Sequence, residues 1–155
     1  MNKDSKIPIK INITGEHRSF DGKSYGEPEE TVEEAYGFLS KRGSSTYLVY
    51  ETTVDEGLIC SNMIKICREP IEIKKTATFH KGTVTSPGSC LIYAPGKTGT
   101  GFYNTPYGRL DTETVTETAD IRETEHSLTC LINGKMKINN SPVSEFKLKI
   151  EAVCI

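Results

Sequence analysis

Tryptophan is absent from the 155-residue chain, histidine occurs only three times, and no long apolar run is present. Without about eighteen consecutive apolar residues there is no membrane-spanning helix. The stretch Met1–Lys10, with Lys3, Lys6 and Lys10, lacks the apolar centre of a secretory signal, so a soluble cytoplasmic protein is expected. Charge of neither sign prevails: 19 Lys and Arg stand against 21 Asp and Glu, a formal −2. That balance gives no chain-wide pull toward nucleic acid or an anionic membrane, and neither is expected as a partner.

Metal and catalytic signatures are missing as well. The cysteines Cys60, Cys67, Cys90, Cys130 and Cys154 are odd in number and have no Cys-x-x-Cys spacing, against both a disulfide framework and a zinc knuckle. Buried free thiols are the expectation. His17, His80 and His126 share no ligand spacing, so no metal or other cofactor is expected. Gly96-Lys97-Thr98 resembles the end of a phosphate-binding loop, but the first glycine of that pattern falls on Leu91, and Thr98-Gly99-Thr100-Gly101 cannot open a helix. A hairpin turn is expected there. No local signature joins a nucleophile to a histidine and an acid, and the chain is read as a non-enzyme.

What the sequence has is alternation. Ile7, Ile9, Ile11 and Ile13 share one face of a strand, with Pro8, Lys10 and Asn12 on the other. Further strands are expected at Tyr47–Tyr50, Leu58–Cys67, Pro70–Lys74, Ser89–Ala94, Gly101–Thr105, Arg109–Glu117 and Ser127–Ile132. The last is Phe146, Leu148, Ile150 and Ala152, alternating against Lys147, Lys149 and Glu151. Gly82–Gly88 reads as a loop, Asn133-Gly134 as a type I′ hairpin, and Asn139–Pro142 as a second reversal. Residues 28–40 fit either a helix opened by Pro28-Glu29-Glu30 or a strand with Val32, Tyr36 and Phe38 on one face. Gly37 and the β-rich surroundings favour the strand. No linker divides the chain, so residues 1–155 form a single domain. About ten strands at short spacing leave exposed edges unless the sheet closes, so an all-β antiparallel barrel in meander order is expected.

Two groups of residues invite a site. On Arg109–Glu117, Thr112, Thr114 and Thr116 oppose Asp111, Glu113 and Glu117, which belong in water, so the threonines point inward. They would offer hydroxyls to a small amphipathic ligand inside the barrel. In Tyr103-Asn104-Thr105-Pro106-Tyr107-Gly108-Arg109, Pro106 and Gly108 make a tight reversal that would gather Tyr103, Tyr107 and Arg109 at the barrel mouth. Tyr-Arg stacking there is also explicable as structure alone. The alternative to ligand binding is an interaction module with a filled core, acting through a strand or rim, as in a homodimer.

The order of Tyr47-Leu48-Val49-Tyr50-Glu51, Asn62-Met63-Ile64-Lys65-Ile66, Tyr103–Leu110 with Thr116, and Ile132-Asn133-Gly134 resembles the YwiB-like family of small bacterial proteins over roughly residues 6–153. The Tyr-x-Thr-Pro-x-Gly element is the most specific piece. The resemblance implies a calycin-type, lipocalin-like barrel of unknown function and brings no catalytic residue with it. The chain departs from the family at Glu51-Thr52, at Lys75 and Thr76, and in a longer Phe79–Gly88 segment.

Overall fold

A computed structural model of the chain describes residues 5–139 and 143–155. It contains ten strands: β1 (Ile7–Ser19), β2 (Glu29–Arg42), β3 (Ser45–Asp55), β4 (Leu58–Arg68), β5 (Ile71–Lys81), β6 (Val84–Tyr93), β7 (Thr98–Thr105), β8 (Gly108–Glu123), β9 (Ser127–Ile138) and β10 (Ser144–Cys154). Each pairs antiparallel with its neighbours in sequence, and β10 returns to β1, so the sheet closes in meander order. Closure leaves no terminal strand with a free edge. No helix among the described residues is long and apolar enough to cross a membrane.

The period-two pattern decides what points inward. Ile9, Ile11 and Ile13 of β1 are at most 4% exposed, and β10 answers across the register with Ala152 and Ile150. Leu48, Ile64, Ile66, Ile73 and Ile132 join them with no exposed surface, each burial stabilising the fold by about 1.5–3 kcal/mol. Lys147 and Lys149 face solvent, as the alternation of β10 requires.

Residues 28–40 form a strand, as Gly37 suggested, but their apolar side faces out. Val32, Tyr36 and Phe38 are 66%, 66% and 48% exposed, while Glu33, Ala35, Gly37 and Leu39 turn inward. Two expected turns are strand instead. Asn133 and Gly134 lie inside β9, because the glycine meets a close approach: a Cβ there would sit 2.2 Å from the Val115 carbonyl oxygen and 2.9 Å from Phe146 Cζ. Most of Gly82–Gly88 belongs to β6, and the reversal is confined to a tight turn with Gly82 at φ 60°. The Asn139–Pro142 reversal lies largely outside the described residues.

Successive connections alternate between the two ends of the barrel. At one end, that of the β2–β3, β4–β5, β6–β7 and β8–β9 turns, the core is sealed by charge. Arg68 donates to Thr46 Oγ1 at 3.0 Å and to Glu123 Oε2 at 2.7 Å, and Lys41 pairs with the other Glu123 oxygen. The opposite end is looser. There β2 pairs with β3 only from Gly37 to Arg42, so residues 29–36 ladder with β1 alone and residues 51–55 with β4 alone. At the parting point a Cβ on residue 37 would lie 2.1 Å from the Val49 carbonyl oxygen, so β2 crosses β3 at the one residue without a side chain and then diverges. The β2–β3 ladder is therefore open toward the loose end.

Candidate functional site

Ten strands enclose a wider lumen than the eight whose side chains just fill a barrel. The isoleucine and leucine core occupies the sealed end. Toward the loose end a cavity of about 190 Å³ remains, walled by Ile13, Leu91, Met136, Phe146 and Leu148. Tyr93 closes its floor with its ring edge-on to Phe146, centroids 5.6 Å apart.

Four polar side chains reach the same space from four strands: His17 of β1, Glu33 of β2, Lys75 of β5 and Tyr103 of β7. Each shares the inward phase of its strand, Glu33 with Ala35 and Leu39, Lys75 with Ile73. Beside Glu33 stands Tyr50, which is 2% exposed. Burial pushes its phenol well above the ordinary range, and the neighbouring carboxylate pushes it further, so Tyr50 stays a neutral donor. Burial also raises the phenols of Tyr93 and Tyr103.

Hydrogen bonding inside the barrel is unevenly satisfied. Asn62 is held by donation to Thr52 Oγ1 at 3.4 Å and to the Cys60 carbonyl at 3.2 Å, and it accepts from Cys60 Sγ at 3.6 Å. Burial pushes the Cys60 thiol up, which keeps it protonated, the opposite of what a nucleophile needs. By contrast, the Tyr50 hydroxyl and the Glu33 carboxylate find no partner among the described residues except each other. Of the two, Glu33 lines the cavity and Tyr50 does not. Among the described residues no cluster of His, Cys, Asp or Glu is placed to hold a metal ion.

The residues singled out from sequence separate. Thr112, Thr114 and Thr116 do point inward, each at most 2% exposed, but none of them lines the cavity. Thr105–Gly108 makes the expected reversal, with Gly108 at φ 127°. Its side chains do not gather at a rim: Tyr103 enters the cavity, Tyr107 is wholly exposed, and Arg109 lies on the outer face over the Phe102 ring. Alternation along β7 and β8 sends these side chains to different faces. Arg109 instead borders a separate, apolar outer cleft with Val54, Leu58, Phe79 and Pro106. Glu33, Tyr50 and Lys75 escaped the sequence reading. Their signal was phase: each falls in step with inward apolar residues of its own strand.

Fold and cavity together define a class: a closed ten-stranded β-barrel, solid at one end and holding a semi-polar chamber at the other. The chain belongs to the DUF1934 family, a domain of unknown function, which matches residues 11–150. Its fold is similar to the crystal structure of the ywiB protein from Bacillus subtilis, with a TM-score of 0.66 at 16% identity, covering 97% of this chain and 93% of that one. Among curated proteins, none matches the chain.

Proposed function

We propose that the protein is a non-catalytic carrier or sensor that binds a small amphipathic molecule in the chamber at the loose end of the barrel. The observation that carries this reading is the mixed lining of the chamber, where Glu33, Lys75, His17 and Tyr103 meet apolar surface from Ile13, Leu91, Met136 and Phe146. Apolar walls with a few polar groups placed among them are what hold and orient a small ligand. At about 190 Å³ the chamber is below the roughly 300–1,000 Å³ of drug-sized sites, which suits a small metabolite. In this reading the ligand enters at the loose end, where β2 and β3 are no longer paired. A lipocalin-like manner of holding ligands is part of this reading, as is a cytoplasmic setting, which five free thiols support.

Native mass spectrometry of protein purified from its own host tests it. The expected result is a non-covalent adduct that disappears when Leu148→Trp fills the chamber. An adduct-free wild type whose melting temperature no small-metabolite panel raises would overturn it.

The exposed outer row supports a second reading, homodimerisation. Pro8, Phe38 and Val49 line up across β1, β2 and β3, and the adjacent charges Lys10 and Glu34 already neutralise one another. Sedimentation equilibrium showing a dimer that Phe38→Glu dissociates would support it; a monomer at all concentrations would eliminate it.

A further inference from the structure

Glu33 and Lys75 enter the chamber from strands three positions apart in the barrel, and no ion pair joins either of them to any described residue. Two opposite charges that face one small space without meeting each other are both left available to a ligand. A neutral molecule leaves both unanswered. A simple amine answers Glu33 and leaves Lys75 exposed to a second positive charge; a simple carboxylate does the reverse.

We propose that the chamber selects a small zwitterion carrying an ammonium and a carboxylate near one end and an apolar remainder, the chemistry of an apolar or aromatic α-amino acid. The inference rests on the ligand-binding reading above and names its ligand class. Glu33 receives the ammonium, and Lys75 receives the carboxylate. Tyr93 and Phe146 offer aromatic surface, and Ile13 and Leu91 aliphatic surface, to the remainder. The entrance fits the same class. Exposed Glu29 and Glu30 lie on the stretch of β2 that is unpaired with β3, and Glu51 on the facing stretch of β3, a field that draws an ammonium group inward and repels a bare carboxylate. His17, Glu16 and Lys147 also border the chamber, so its edge carries both signs of charge.

Isothermal titration calorimetry of the full chain with four matched ligands decides the matter: L-phenylalanine, phenethylamine, 3-phenylpropionate and 2-phenylethanol. An L-leucine series covers the aliphatic case. The amino acid should bind about tenfold or more tighter than any of its three analogues, as charge-assisted hydrogen bonds at both ends require. Glu33→Gln should lower affinity for the amino acid and the amine and leave the acid unchanged, and Lys75→Met should do the converse. If 2-phenylethanol or either singly charged analogue binds as tightly as the amino acid, the zwitterion inference fails while ligand binding stands. If none of the ligands binds and the native mass spectrum is also adduct-free, both fail. Should a variant not fold, the ranking of the four ligands on the wild type decides alone.

Discussion

Gly101 on β7 lies opposite Thr112 on β8, and a Cβ at position 101 would sit 3.0 Å from Thr112 Oγ1 and 2.1 Å from the Cys90 carbonyl oxygen. Directly opposed residues of an antiparallel pair face the same way, so the β6 backbone at Cys90 covers the inner face of β7 where the threonine row begins. The same strand passes Gly99 with its Ile92 carbonyl 2.5 Å from a would-be Cβ. Backbone cannot yield as a flexible side chain does. Gly101→Ala should therefore destabilise the fold by about 1–3 kcal/mol, the usual cost of overpacking, seen as a lower urea midpoint with an unchanged slope. An unshifted midpoint would mean that β6 does not press on β7.

The inward threonines of β8 are core residues with hydroxyls to spare. Thr114 is 1% exposed and its Oγ1 has no partner among the described residues. Replacing that hydroxyl by a methyl group of nearly the same shape removes a buried unmet polar atom. Thr114→Val should raise stability by about 1 kcal/mol and leave ligand uptake unaltered. A loss of stability would show that the hydroxyl has a bonded partner in solution, such as an ordered water.

The Tyr103–Arg109 segment divides by face. Arg109 lies 4.3 Å from the Phe102 ring centroid and 3.1 Å from Asp111 Oδ1, with its side chain 60% exposed. An exposed cation over a ring and an exposed ion pair each stabilise by about 1 kcal/mol or less. Arg109→Ala and Tyr107→Ala should accordingly change stability by about 1 kcal/mol at most and leave any ligand titration as in the wild type. Tyr103→Ala, which widens the chamber and removes its phenol, should weaken binding in the same calorimetric assay. Equal binding losses in all three variants would relocate the site to the hairpin.

The barrel was legible because alternation is a local property. Ile9-Ile11-Ile13 and Phe146-Ile150-Ala152 declare their inward phase without reference to any other strand. Phase failed where outward residues were also apolar: Val32, Tyr36 and Phe38 hid the inward Glu33 behind them. Gly134 misled for a related reason. Asn-Gly marks a turn when the glycine is needed for positive φ, but here it is needed for space against Val115 and Phe146, a contact between strands that a linear sequence does not display. The chamber that holds Glu33, Lys75 and Tyr103 is likewise a product of closure, since β2, β5 and β7 meet there only when the sheet has curled.

At the sealed end, Glu123 ties β8 to β2 and β4. The Lys41 ammonium, bonded to its carboxylate, and then Arg68 hold its pKa below the ordinary 4.5. A carboxyl depressed in the folded state contributes stability above its unfolded pKa and loses it as pH falls through the folded value. Glu123→Gln should lower the melting temperature at pH 7 and have a smaller effect at pH 3, flattening the acid limb of the stability profile. A deficit of equal size at both pH values would assign the residue's role to packing rather than charge.

Cys130 sets the opposite limb. It has no exposed surface, and burial pushes its thiol from 9.0 to about 12, with Arg68 drawing it back and Asp120 adding to the rise. A group raised in the folded state gives its full stability below the unfolded pKa and loses it as pH climbs, because the unfolded chain releases a proton that the folded chain retains. Between about pH 9 and pH 12 that single thiol should reduce stability by up to about 1.4 kcal/mol per pH unit. Tyr50 and Tyr93, also raised by burial, add their share above their ordinary 10.0. Cys130→Ala should be less stable than the wild type at pH 8 from the lost packing, and the gap should narrow at pH 9.5 and again at pH 10.5 in urea titrations. A gap that stays constant across that range would mean that Cys130 ionises alike in the folded and unfolded chains, and that the core beneath Arg68 is open to water.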